Sequence, residues 1–117
     1  MPANTVHLTP AQRRYLESFR GDLEGRELSM DEQDFVQHVC GMEFDGEAQL
    51  GDFRVALALQ DKGLVSKVDR HGAGLRFLSA TFTEAGATAL FHALRRQAQR
   101  DRRNGAAHAA SGARHAQ

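Results

Sequence analysis

EAQLGDFRVALALQDKGLVSKVDRHGAGLRFLSATFTEAGATALF, residues 47–91, decides how the chain is read. Leu50, Phe53, Ala56, Leu57 and Gln60 follow one helical face, and Val55, Ala58 and Leu59 widen it. The spacing predicts a helix over 46–62, opened by Asp45 or Gly46 and stopped where Gly63 supplies a left-handed residue. Leu64–Arg70 and Leu75–Phe82 are strand-like, with Val, Thr and Phe among them. A four-residue loop, His71–Gly74, would set Arg70 opposite Leu75, Asp69 opposite Arg76 and Val68 opposite Phe77. Leu78, Ala80 and Phe82 alternate, so one face of the second strand should lie on the helices. Thr83 then caps a new helix, with Glu84 in its first turn.

Upstream of this stretch, Thr9-Pro10-Ala11-Gln12 is a helix start with a capping box and a proline at the first helical position. Tyr15, Leu16, Phe19 and Leu23 recur at helical spacing, giving a first helix over about 9–22. Ser29 and Glu32 form a second capping-box pattern ahead of a helix at about 30–41. Its buried stripe would be Phe35, Val36, Val39 and Cys40, and Met42-Glu43-Phe44 would be a short connection. Downstream, Ala87, Leu90, Phe91, Leu94 and Ala98 give the last helix its inner face, and Arg95, Arg96, Arg100, Arg102 and Arg103 make its end basic. The expected organisation is a flexible arm over 1–8, one domain over 9–103 and a disordered tail over 104–117.

Composition sets limits. The 117 residues suffice for one domain with a modest core. A single cysteine cannot form an internal disulfide, which fits a reducing cytoplasm. No apolar run approaches the roughly 18 residues of a membrane span, and the N-terminus does not read as a secretory signal. The net charge is zero but unevenly spread. Residues 31–62 hold eight acids against Arg54 and Lys62, and residues 63–103 hold eight Lys or Arg against three acids.

The block ALQDKGLVSKV, followed by FLSATFTEAGATALF, resembles the winged-helix part of MarR-like and PadR-like bacterial regulators. The matching residues are Leu57, Leu59, Lys62-Gly63-Leu64-Val65, Phe82-Thr83-Glu84-Ala85-Gly86 and Leu90, and Leu8–Gln12 is similar to the start of their first helix. The resemblance implies an α+β winged helix-turn-helix: three helices, two strands, then a closing helix. It implies that the 46–62 helix reads DNA and that the 70–76 loop is the wing. The function expected from it is a DNA-binding transcriptional regulator, dimeric through Leu90, Phe91, Leu94 and Ala98 of the last helix.

Two residue sets follow. Gln49, Arg54, Ser66, Lys67, Arg70, His71 and Arg76 are the candidates for duplex DNA. The acidic set Asp31, Glu32, Asp34, Glu43, Asp45, Glu47 and Asp52 supports a different function, a protein-interaction module that binds a basic partner or imitates phosphates. Acids at helix starts also have a purely structural role beside the helix dipole, which accounts for Asp31, Glu32 and Glu47. The six histidines form no HExxH pair and the lone cysteine no CxxC, so no metal is expected. No motif sets a nucleophile beside a base and no glycine-rich phosphate loop follows a strand, so neither enzyme nor cofactor is expected.

Overall fold

A computed structural model describes the backbone of residues 7–115 and the side chains of residues 7–105. Residues 1–6 of the expected arm, and the side chains of the expected tail from 106 onward, lie outside that description. The elements are α1 (Pro10–Glu17), a 3-10 turn (Ser18–Asp22), α2 (Gly25–Leu28), α3 (Glu32–Val39), β1 (Glu43–Glu47), α4 (Asp52–Asp61), β2 (Val65–His71), a 3-10 turn (Ala73–Leu75), β3 (Phe77–Phe82) and α5 (Glu84–His115). The chain is α+β, and its sheet is antiparallel with strand order β1-β3-β2.

Several local expectations hold. The Thr9 hydroxyl accepts from Gln12 N, and the Gln12 amide accepts from Thr9 N, so the capping box opens α1. Gly63 takes φ +77, its N–H reaches Gln60 O, and Leu64 N reaches Leu59 O, the paired bonds that close a helix on a left-handed glycine. Thr83 Oγ1 accepts from Gly86 N at 3.0 Å while its own proton faces Gly63 O at 2.6 Å and Leu64 O at 2.9 Å. One hydroxyl therefore starts α5 and ties it to the start of β2. Leu78, Ala80 and Phe82 are all buried, as their alternation requires.

The expected element order does not hold. A strand, β1, stands between α3 and α4, so these helices are not joined by the short turn of a helix-turn-helix. Residues 46 and 47 belong to β1, and the helix begins only at Asp52, after Gly51 at φ +88. Glu-Phe-Asp-Gly-Glu has little intrinsic strand preference. Its extended form comes from pairing with β3, Glu43 opposite Thr81 through Glu47 opposite Phe77, and from Phe44 seated against Phe19 and Phe82 at ring distances of 4.2 and 5.2 Å.

The hairpin register also differs. His71 pairs with Phe77, Arg70 with Leu78 and Asp69 with Ser79. A bulge between Ser66 and Asp69 then shifts the ladder, with Ser66 opposite Thr81 and Val65 opposite Phe82. Lys67 occupies the bulge at φ 56, and Val68 N is satisfied by the Gln60 side chain at 3.0 Å. A non-glycine bulge of this kind leaves no mark in a hydropathy pattern.

The core gathers around Leu16, Phe35, Val39, Leu59, Leu64 and Leu90, all essentially inaccessible. Its edges depart from expectation. On α4, Ala56 and Leu59 are buried, whereas Leu57 is exposed and Leu50 lies exposed ahead of the helix, so α4 turns a narrower face inward. Helix α3 starts at Glu32, capped by Asp31 rather than Ser29, and Cys40 is exposed instead of joining the stripe. The unforeseen α2 buries Glu27, whose carboxylate lies 2.8 Å from His38 Nε2. On α5, Leu90, Phe91 and Leu94 are buried within the chain, where α1 and α3 pack on the helix. Three of the four residues that sequence reading offered to a second copy are thereby covered from inside, and Ala98 is half-buried. No helix among the described residues is long and apolar enough to cross a membrane.

Candidate interaction surface

The β2–β3 hairpin carries most of the residues expected to meet DNA, and Arg70, His71 and Arg76 among them are already engaged. The Arg70 guanidinium donates from Nε and Nη2 to Leu75 O at 3.1 and 2.6 Å, and it lies over the Phe53 ring at 5.5 Å. That fork holds Leu75 in its left-handed conformation, φ 54, and closes the loop. Arg70 is thus a clasp between the hairpin tip and α4. His71 Nε2 sits 3.0 Å from Asp45 Oδ1, with its ring stacked on Phe77 at 5.8 Å. Arg76 Nη2 lies 3.7 Å from Glu47 Oε1. Ser66 is half-buried at the ladder's far end, while Gln49 and Arg54 are exposed, Gln49 before α4 and Arg54 in its first turn. Lys67 projects from the bulge. The seven candidates therefore do not form one uninterrupted basic face.

The acids fall into two groups. Asp31, Glu32 and Asp34 belong to the start of α3, where Asp31 accepts from Asp34 N at 2.9 Å and Glu32 reaches His92 of α5 at 2.6 Å. Glu43, Asp45 and Glu47 occupy alternate positions of β1, and Asp52 at the head of α4 accepts from Gln49 N at 2.9 Å. Period two places Glu43, Asp45 and Glu47 on the outer face of the sheet beside Thr81, Ser79 and Phe77, while Phe44 points inward with Ala80.

A groove of ≈ 540 Å³ runs between β1 and the helical segment opposite it. Arg14, Ser18 and Asp22 line the helical wall, residues 42–47 the strand wall, and Tyr15, Phe19 and Phe44 lie between them as an edge-to-face cluster. Five acidic residues contribute to its lining (Asp22, Glu43, Asp45, Glu47 and Asp52) against one basic residue, Arg14. Burial pushes the Tyr15 phenol well above its ordinary value, and the charge of Asp52 raises it further. Sequence reasoning assigned Glu43, Asp45, Glu47 and Asp52 of this groove but neither Asp22 nor the rest of the helical wall. The acid at every second position from Glu43 to Glu47 is the signal for the strand, against the expected connection at Met42-Glu43-Phe44 and helix start at Asp45 or Gly46.

The basic end of α5 is partly spent on the fold. Arg100 meets Glu17 at 2.7 Å, Asp101 meets Arg20 at 3.3 Å, and Arg95 covers the Phe91 ring at 5.1 Å. His38, His71 and His92 each face one carboxylate. Among the described residues no group of three or more His, Cys, Asp or Glu converges as a metal site would require. Comparison with family models, curated proteins and solved structures finds no match to this chain.

Proposed function

We propose that the chain is a protein-interaction module that captures a basic partner through the carboxylates of β1 and the head of α4. The observation carrying this reading is the pairing of the hairpin with β1. A phosphate approaching His71 or Arg76 meets Asp45 or Glu47 at the same spot, and like charges at that separation repel. These pairs are exposed and each is worth little by itself. A partner's Lys or Arg can join the carboxylates at small cost, whereas a phosphate must displace them. Regulation of transcription by direct DNA contact remains the second reading, supported by the exposed Arg54 and Lys67 and by the hairpin itself. It would use a helix that follows a strand, without the turn that positions a recognition helix.

The double substitution Glu47→Gln with Asp52→Asn separates the two. Titrated against a fluorescent lysine-rich polypeptide, the variant should bind at least about tenfold more weakly than the parent, a loss of about 1.4 kcal/mol. Titrated against a random-sequence duplex, it should change little. Stronger duplex binding with unchanged polypeptide binding would transfer the function to DNA.

A further inference from the structure

Strand β1 is an edge of the sheet, since the order β1-β3-β2 leaves one side of it without a neighbouring strand. Phe82 N donates to Met42 O and Ala48 N donates to Arg76 O. Antiparallel alternation then turns the backbone groups of Met42, Phe44, Gly46 and Ala48 toward β3. The N–H and C=O groups of Glu43, Asp45 and Glu47 turn the other way, along the strand wall of the groove. The same three residues put their carboxylates on the outer sheet face, and Phe44 lies on the inner side facing Tyr15 and Phe19. Acids on an exposed edge also discourage pairing between copies of the chain, which selects against a second β1 as the occupant.

We infer that the groove receives an extended basic peptide, which adds to β1 as a fourth strand with basic and apolar side chains alternating. Main-chain bonds to Glu43, Asp45 and Glu47 hold it in place. Its basic side chains lie beside the three carboxylates on the outer face, as opposite charges across a ladder prefer. Its apolar side chains point inward to Tyr15, Phe19 and Phe44. Arg14 is the single cation in the lining, so an acidic peptide has no comparable fit. This inference rests on the basic-partner reading above and specifies its mode.

The probe is a synthetic hexapeptide alternating lysine and valine, titrated into the full chain by fluorescence anisotropy. Two further versions are N-methylated, one at the lysines and one at the valines. Only alternate N–H groups of an added strand face β1, so one methylated set should weaken binding about tenfold or more and the other by less than about twofold. In parallel, the amide protons of Glu43, Asp45 and Glu47 should become protected from hydrogen exchange on adding the unmethylated peptide. The glutamate–valine counterpart should not bind. If both methylated sets bind alike and those amides stay unprotected, strand addition is overturned, while capture of lysine-rich chains stands on its own titration. If the lysine–valine peptide fails to bind although the lysine-rich polypeptide does, strand addition is again overturned. If neither binds, both readings fall.

Discussion

At the scale of single residues, the chain tolerates a strained lysine and uses a lone tyrosine as a reporter. Lys67 adopts φ 56 at the bulge, where a β-carbon costs roughly 1–2 kcal/mol and glycine costs almost nothing for the geometry. Lys67→Gly should therefore raise stability by about 1 kcal/mol after glycine's larger unfolded-state entropy is counted, visible as a higher midpoint in denaturant. An unchanged or lower midpoint would mean that the bulge gains more from the lysine than from a relaxed backbone. Tyr15 is the only tyrosine and there is no tryptophan, so phenol ionisation can be followed by absorbance without interference. Burial and Asp52 raise its folded value, whereas the unfolded chain ionises near the ordinary value of about 10. The unfolded state then binds fewer protons than the folded state above that pH. The stability associated with a neutral Tyr15 is complete below about 10 and drains away as pH rises toward the folded value. Asp52→Asn should lower the folded midpoint without restoring the ordinary one, because burial is the larger cause.

At the scale of elements, the joint between β2 and α5 has the least room to change. A β-carbon on Gly86 would lie 1.7 Å from Leu64 O, a backbone atom that Thr83 also holds from its N–H and its hydroxyl. Gly86→Ala must push α5 away from the sheet, at a cost of about 3 kcal/mol or more, and a melting curve close to the parent's would show that the joint slides. This joint was legible in the sequence because its signals are local: Gly63 ends a helix, Thr83 starts one, and the strand between shows period two. Strand β1 was not legible, because acids and glycine are poor strand formers and its extended shape is imposed by β3 and the Phe19–Phe44–Phe82 cluster. The hairpin register was missed for a related reason. Charge pairing favoured Asp69 opposite Arg76, but Arg70 spends its guanidinium on Leu75 O and the bulge moves the ladder. The candidate site was half visible on the same grounds. Its carboxylates stand out as a charge segment, whereas Arg14, Tyr15 and Phe19 resemble any helix face until β1 lies across from them.

At the scale of the whole molecule, the strand order implies a sequence of events in time. The β2–β3 hairpin closes over a short loop, on the order of microseconds for isolated hairpins. Strand β1 must find β3 across α4 and β2, so Glu43 meets Thr81 only after a much longer loop is closed. We expect β1 to zip on after the transition state and to peel away first. Phe44→Ala should then accelerate unfolding while leaving the folding rate almost untouched, a φ-value near zero, whereas Leu78→Ala should slow folding. A Phe44 φ-value near one would place β1 in the folding nucleus instead. The late strand is also an edge strand, so a fourth strand laid on it would act as a latch. It would lengthen the lifetime of the closed sheet by slowing the first step of its opening, and the partner's residence time would set the clock for both.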